Sequence, residues 1–282
     1  KMASYGEWIN KDIDKRELLN NINIASDLSD NESLDWTCGE EEFKVKELKK
    51  VKEEKKDIYF VEVRYDSPDG SDYSEEHYAL ITINNGKANA ISHEVIEGIN
   101  KSLDKALEED KVVILTGKQG IFSAGFDLKV MTKSSESAKE LVTKGSELSL
   151  RMLSFPKPII IACNGHAVAK GGFLLLSADY RIGVEGDFKI GLNEVMIGMT
   201  MHNAGIAIAK ARLSEVYLNR SVNNAEIYNP KDAIKAGFLD LNVPENHLLP
   251  TAFKVADMFS KLNKKAHAAT KLKVRKQHLQ DL

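Results

Sequence analysis

Two short runs constrain this chain more than any other feature, Val112 to Leu115 (VVIL) and Pro158 to Ala162 (PIIIA). Neither alternates apolar with polar residues, so a strand built from either must be covered on both faces. The flanking sequence carries the pattern of that cover. Tyr78 to Ile83 (YALITI) reads as a strand ending in the turn NNGK. Ser92 can cap a helix whose apolar positions Ile96, Ile99, Leu103 and Leu107 recur at helical spacing. Ser134 to Ser154 places Leu141, Leu148 and Met152 on one side of a helix, which Phe155-Pro156 ends. Further on, Gly171 to Ser177 begins a very apolar helix, and Asp179 to Ile182 and Phe188 to Ile190 are short strands. Asn203 to Arg212, Pro230 to Ala236, Pro250 to Leu262 and Ala266 to Leu282 read as helices. Strands alternating with helices in this way predict an α/β layered fold with parallel crossovers.

Residues 1–75 have a different character, rich in Asn, Asp, Glu and Lys and holding both tryptophans, Trp8 and Trp36. Phe43 to Val51 and Ile58 to Tyr65 read as two strands of a hairpin around Lys52 to Asp57. The lysines between Lys44 and Lys56 are interrupted by Glu47, Glu53 and Glu54, which fits a solvated face. The acidic, turn-rich stretch Asp66 to Glu76 acts as a linker. The expected organisation is therefore an N-terminal appendage at 1–75, a small hairpin-containing domain with no function assigned, and a main domain at 76–282.

A net charge of −3 gives no reason to expect a nucleic-acid or membrane partner. The two cysteines, Cys38 and Cys163, form no framework, which suits a reducing compartment. No apolar run approaches the roughly 20 residues that span a bilayer, the opening residues lack an apolar signal core, and Gln280-Asp281-Leu282 is not a peroxisomal address. The expectation is a soluble cytoplasmic protein. Neither H-E-x-x-H nor paired cysteines occur, so no metal site is expected, and no Walker or G-x-G-x-x-G spacing offers a nucleotide site.

The chemistry centres on Gly120 to Met131 (GIFSAGFDLKVM). A strand, a small-residue loop and a short helical turn present backbone N–H groups that lack an intrahelical partner and can bind an oxyanion or a phosphate. Two later stretches complete a pattern, NGHAVAKGGFLLLSADYRI and IGLNEVMIGM, with ITINNGKANAIS preceding. In order and spacing, over about residues 77 to 270, these resemble the enoyl-CoA hydratase/isomerase, or crotonase, superfamily. The resemblance implies a stacked β/α spiral core with a C-terminal helical region. It also implies an acyl-CoA as substrate, with no further cofactor, and assembly as a homotrimer or hexamer. Two backbone N–H groups would hold the thioester oxygen as an enolate forms. Donors fixed where that charge develops are each worth about 10²–10³ in rate.

Carried over by position, the first donor is the N–H of Phe126. Matching Asn164 to Asp179 without a gap puts the second on Lys170, and a shift of one residue puts it on Gly171. Relatives mostly have a small residue there, so Lys170 is a departure. Hydratases of the family place a glutamate three residues beyond the second donor, and here that position is Phe173. The second family glutamate matches Glu194, expected to lie among Leu192, Val195 and Met196, where burial would raise its pKa. A lone glutamate in a GLNE context resembles the mitochondrial Δ3,Δ2-enoyl-CoA isomerases and suits a proton shift from C2 to C4. The family's CoA contacts map onto Lys87, Ala88, Ala90 and Ala124, with Lys129 placed to meet a phosphate and Lys271 or Lys273 as further candidates. Met196, Met199 and Met201 are expected to line a pocket, and His166 and His202 to be packed or hydrogen-bonded. Isomerisation of a 3-enoyl-CoA is the leading expectation. Hydration or another enolate chemistry is the alternative enzyme, and a catalytically silent acyl-CoA-binding protein is the alternative of a different class.

Overall fold

The computed structural model describes residues 58–61 and 78–280. Its larger sheet has six strands: β1 (Ile58–Val61), β2 (Tyr78–Ile83), β3 (Val112–Thr116), β5 (Ile159–Cys163), β7 (Tyr180–Val184) and β10 (Leu241–Val243), hydrogen-bonded in that order. Only β1 runs antiparallel to its neighbour. A smaller sheet is ordered β4 (Gly120–Ser123), β6 (Gly165–Val168), β8 (Ile190–Gly191) and β9 (Ile227–Tyr228).

The chain gives one strand to each sheet before a helix carries it onward. β3 and β4 lead into α2 (Leu128–Met131) and α3 (Ser135–Ser154), β5 and β6 into α4 (Lys170–Ser177), and β7 and β8 into α5 (Asn203–Arg212). That repeated path is the expected β/α spiral, and α6 (Glu215–Val222), α7 (Pro230–Ala236), α8 (Leu248–Ser260) and α9 (Lys264–Gln280) form the C-terminal helical region. The helix α1 (His93–Glu108), between β2 and β3, is capped by Ser92, whose hydroxyl accepts from the Val95 N–H.

The wholly apolar strands are covered twice, as their composition requires. Val113, Leu115, Ile159 and Ile161 face one core with Leu141, Leu148 and Phe173, while Ile114, Ile160 and Ile182 face a second core with Leu248, Ala252 and Phe253 of α8. Each fully buried isoleucine contributes about 1.5–3 kcal/mol.

The strand β1 pairs with β2 on one edge, register Ile58 to Ile83, and Phe43 to Val51, its expected hairpin partner, lies outside the described residues. Other expectations are corrected. Leu107, expected on the buried face of α1, is 42% exposed in its last turn. The strands at Gly120–Ser123 and Gly165–Val168 and the helix α6 were not read from sequence. Four-residue strands led by glycine are too short to show alternation. Lys271 is no free phosphate ligand: its ammonium donates to Asp179 Oδ2 (2.6 Å) and the Lys157 carbonyl (3.0 Å), pinning α9 to the core with Arg275, which donates to Asp179 Oδ1 (2.9 Å). Among the described residues no helix is long and apolar enough to cross a membrane.

Candidate active site

The first loop is built on a buried asparagine. Asn89, fully buried at φ 49, donates to the carbonyls of Ile83 (3.0 Å) and Phe122 (2.7 Å), and its Oδ1 accepts from the Asn85 N–H (2.7 Å). This holds the turn at residues 85–90 against the end of β4, where the Ala124 N–H donates to the Ala88 carbonyl (3.0 Å). Beyond it the Ile91 N–H donates to the Gly125 carbonyl (2.8 Å) and the Asp127 N–H to the Ile91 carbonyl (3.0 Å). A parallel bridge of this kind uses the groups on either side of Phe126, so the Phe126 N–H points the other way. It meets no protein acceptor among the described residues. Asp127 then caps α2, accepting from the Lys129 N–H (2.9 Å).

The second loop lies against the first. Ala169 has φ 50 and ψ −123, a conformation an alanine adopts only under strain, and its N–H donates to the Gly191 carbonyl (3.1 Å). The helix α4 starts at Lys170, one residue earlier than its sequence pattern suggested. The Lys170 and Gly171 N–H groups both fall in the first turn, where no intrahelical acceptor exists. Gly125, at φ +107, is required for the close approach: a Cβ there would come 2.8 Å from Ala169 Cβ and 3.5 Å from the Lys170 nitrogen. The Phe126 loop and the Lys170 amide are thus brought together.

Lys170 is itself 3% exposed, and its side chain runs to α3, where the ammonium donates to the Gly145 carbonyl (2.5 Å) and Ser149 Oγ (2.6 Å). Burial pulls its pKa down to about 7, against the opposing charge of Glu194. Phe173, one turn along α4, is 2% exposed and packs 5.6 Å, centroid to centroid, from His202.

Glu194 follows β8 and opens a short 3₁₀ turn, its carbonyl accepting from the Met199 N–H (2.8 Å). The residue is 7% exposed, and Oε2 is buried without a hydrogen-bond partner among the described residues. Burial raises its carboxyl above the ordinary value, opposed by its own backbone N–H and by the charge of Lys170. The frame differs from the one expected. Leu192 is buried, but Val195 and Met196 are 45% and 65% exposed and do not enclose the carboxylate. Of the methionines expected to line a pocket, only Met201 is buried. His202 caps α5 by accepting from the Gly205 N–H (3.0 Å), and burial lowers its pKa. His166 accepts from the Lys189 N–H (2.9 Å).

The residues mapped to CoA lie on the rim of the first loop. Lys87, Ala88, Ala124 and Lys129 are exposed and Ala90 is half-buried, its carbonyl accepting from Asn85 (2.7 Å). The residue that sequence reading missed is Gly145. It falls on the same face of α3 as Leu141, Leu148 and Met152, and a glycine inside an apolar helical stripe was the signal available.

A buried carboxyl with one free oxygen can take up a proton and return it, and two adjacent free N–H groups can hold a developing oxyanion. Comparisons with known proteins fit that arrangement. Residues 74–281 match the family described as enoyl-CoA hydratase/isomerase. Among curated relatives, a probable enoyl-CoA hydratase of Bacillus subtilis is 31% identical over 61% of this chain and 67% of its own length. The mouse mitochondrial enoyl-CoA delta isomerase 1 is 30% identical over 70% of each chain. Among solved structures, an enoyl-CoA hydratase/isomerase family protein from Pseudomonas syringae superposes with a TM-score of 0.72 at 57% identity, over 73% of this chain and 90% of the other. The chain is an enzyme of the enoyl-CoA hydratase/isomerase family.

Proposed function

We propose that the protein converts a 3-enoyl-CoA to the conjugated 2-enoyl-CoA with Glu194 as the single proton shuttle. Glu194, as the carboxylate, removes a proton from C2, and the electrons move onto the thioester oxygen. The N–H groups of Phe126 and Lys170 hold that oxygen, and the protonated Glu194 then delivers the proton to C4. Lys170 is preferred to Gly171 because its nitrogen is the one that adjoins Gly125, while Gly171 packs against the Ser123 carbonyl. The rim residues Lys87, Ala88, Ala90, Ala124 and Lys129 would receive the CoA portion. A homotrimer or hexamer in the cytoplasm is part of the same reading.

The observation that carries it is Phe173. Adding water to a double bond needs a second acid–base group to hold and activate that water. The position one turn along α4 is instead filled by a buried phenyl ring packed on His202. The test is a direct assay of a medium-chain 3-enoyl-CoA and, in parallel, of a 2-enoyl-CoA in water. Formation of conjugated product that Glu194→Gln abolishes is the expected outcome. A 3-hydroxyacyl-CoA product at a comparable rate would make the protein a hydratase. Acyl-CoA binding without either product would point to another enolate chemistry or to a binding role.

A further inference from the structure

We propose that the side chain of Lys170 is a positioning residue, a strut that hangs both oxyanion loops from one turn of α3. The two residues whose backbone N–H groups serve as donors in the proposed function converge through their side chains on Gly145. The Phe126 ring lies directly over that glycine, since a Cβ at 145 would come 2.5 and 2.6 Å from two of its ring carbons. The same Cβ would come 3.3 Å from Lys170 Cε. The ammonium lies 5.9 Å from the centre of the Phe126 ring and ends on the Gly145 carbonyl and on Ser149 Oγ, whose residue is fully buried. α3 therefore offers an acceptor, a bare backbone surface and a second acceptor within a single turn, and the loops dock on it side by side.

A buried lysine is an expensive way to fill space, because an unbranched methionine, one atom shorter, would avoid desolvating an ammonium. What the ammonium adds is direction. Its two hydrogen bonds fix how far α4 stands from α3, and so where the Lys170 N–H points relative to that of Phe126. Donors act on a developing charge only within a few tenths of an ångström of the right place, and a misplacement of about 1 Å costs about 10²-fold.

The inference rests on the isomerase reading for its assay, so a second readout is needed. Full-length wild type, Lys170→Met and Ser149→Ala are compared for isomerisation of a 3-enoyl-CoA, for melting temperature, and for exchange of the C2 protons of a saturated acyl-CoA with deuterated solvent. Exchange reports enolate formation whichever product the enzyme makes. The expected result for Lys170→Met is a kcat lower by about 10–100-fold, a KM within about threefold of wild type, and a melting temperature equal or higher. A smaller loss of kcat, or a loss that only tracks a fall in melting temperature, overturns the proposal. If Lys170→Met does not fold, Ser149→Ala decides, and there a loss of about threefold or more is required because one of the two acceptors remains. If wild type exchanges C2 protons without isomerising, the isomerase reading falls and the strut is judged on exchange by the same limits. If wild type does neither, both fall.

Discussion

Two carboxylates of the described residues, the largely buried Asp179 and the buried Glu194, are treated in opposite ways. Asp179, at the entry to β7, is saturated: Oδ2 accepts from the Ile159 N–H (2.7 Å) and Lys271, and Oδ1 from Arg275. Glu194 keeps Oε2 without a partner among the described residues, and the neighbouring Asn193 Oδ1 is left the same way. Charged neighbours hold Asp179 as a fixed anchor between β5 and α9. Burial without enough partners raises the Glu194 carboxyl above its ordinary value and favours its neutral form. A saturated buried charge organises the fold, and an unsaturated one is left available to a ligand.

Exchanging the carboxylate for an amide at the unsaturated site should have the largest effect on turnover. Glu194→Gln is expected to lower kcat by about 10²–10⁴-fold. It should also stabilise the protein at neutral pH. Because burial raises the folded pKa above the unfolded one, the wild-type carboxyl contributes stability below the unfolded value and loses it as pH rises through the folded value. Denaturant midpoints of the two proteins should therefore converge in acid and separate toward neutrality. The same raised value predicts that wild-type kcat/KM falls on the acid side with a midpoint above that of a free glutamate. A Glu194→Gln protein less stable than wild type at neutral pH would mean that this carboxylate, too, is a structural anchor.

At the saturated site the expectation reverses. Asp179→Ala leaves Lys271 and Arg275 buried without their counter-charge and should cost about 3–5 kcal/mol of stability. The folded fraction should keep a kcat close to wild type, measured at a temperature well below its melting point. Loss of turnover out of proportion to unfolding would show that α9 reaches the site and that the two regions are coupled.

The same contrast separates what was legible in the sequence from what was not. The double cover of VVIL and PIIIA, the Ser92 cap and the order of the family landmarks could all be read from residue type and spacing, because each rests on local chemistry. Glu194 was singled out because its context is a motif. The fate of Lys170 and Lys271 was not legible. Both look like ordinary solvated lysines, and only the tertiary fold supplies the Gly145 carbonyl, Ser149 and Asp179 that accept their protons. The exposure of Val195 and Met196 was missed for a related reason: apolar character in a 3₁₀ turn does not say which way the turn faces.

Buried charge tests the comparison again at Lys170, where the effect should be smaller and should depend on pH. Its pKa, drawn down to about 7 by burial, means that the folded state holds fewer protons than the unfolded state between there and the ordinary lysine value of about 10.4. The penalty of the buried ammonium is complete below about pH 7 and is relieved as pH rises from there. Any gain in melting temperature of Lys170→Met over wild type should accordingly be largest in mild acid and shrink in alkali. A gain independent of pH would mean that methionine simply packs better.

The smallest expected effect concerns the backbone between the two proposed donors. Ala169 holds φ 50 and ψ −123, a region that costs a side-chain-bearing residue about 1–3 kcal/mol. Ala169→Gly removes that strain but loosens the unfolded chain, which returns about 0.5–1 kcal/mol of the gain. The net expectation is a protein about 1 kcal/mol more stable, read as a higher denaturant midpoint. Turnover should move the other way, because Ala169 Cβ is the atom that lies against Gly125 and its loss lets the two loops shift relative to each other. A fall in kcat of less than about tenfold is expected, since both N–H groups remain and only their alignment relaxes. Greater stability with lower turnover would show that strain, like the free oxygen of Glu194, is kept in this half of the molecule because it serves the chemistry. Lower stability would show that the Ala169 turn is held by its packing as firmly as Asp179 holds α9, and the contrast between the two regions would then rest on the carboxylates alone.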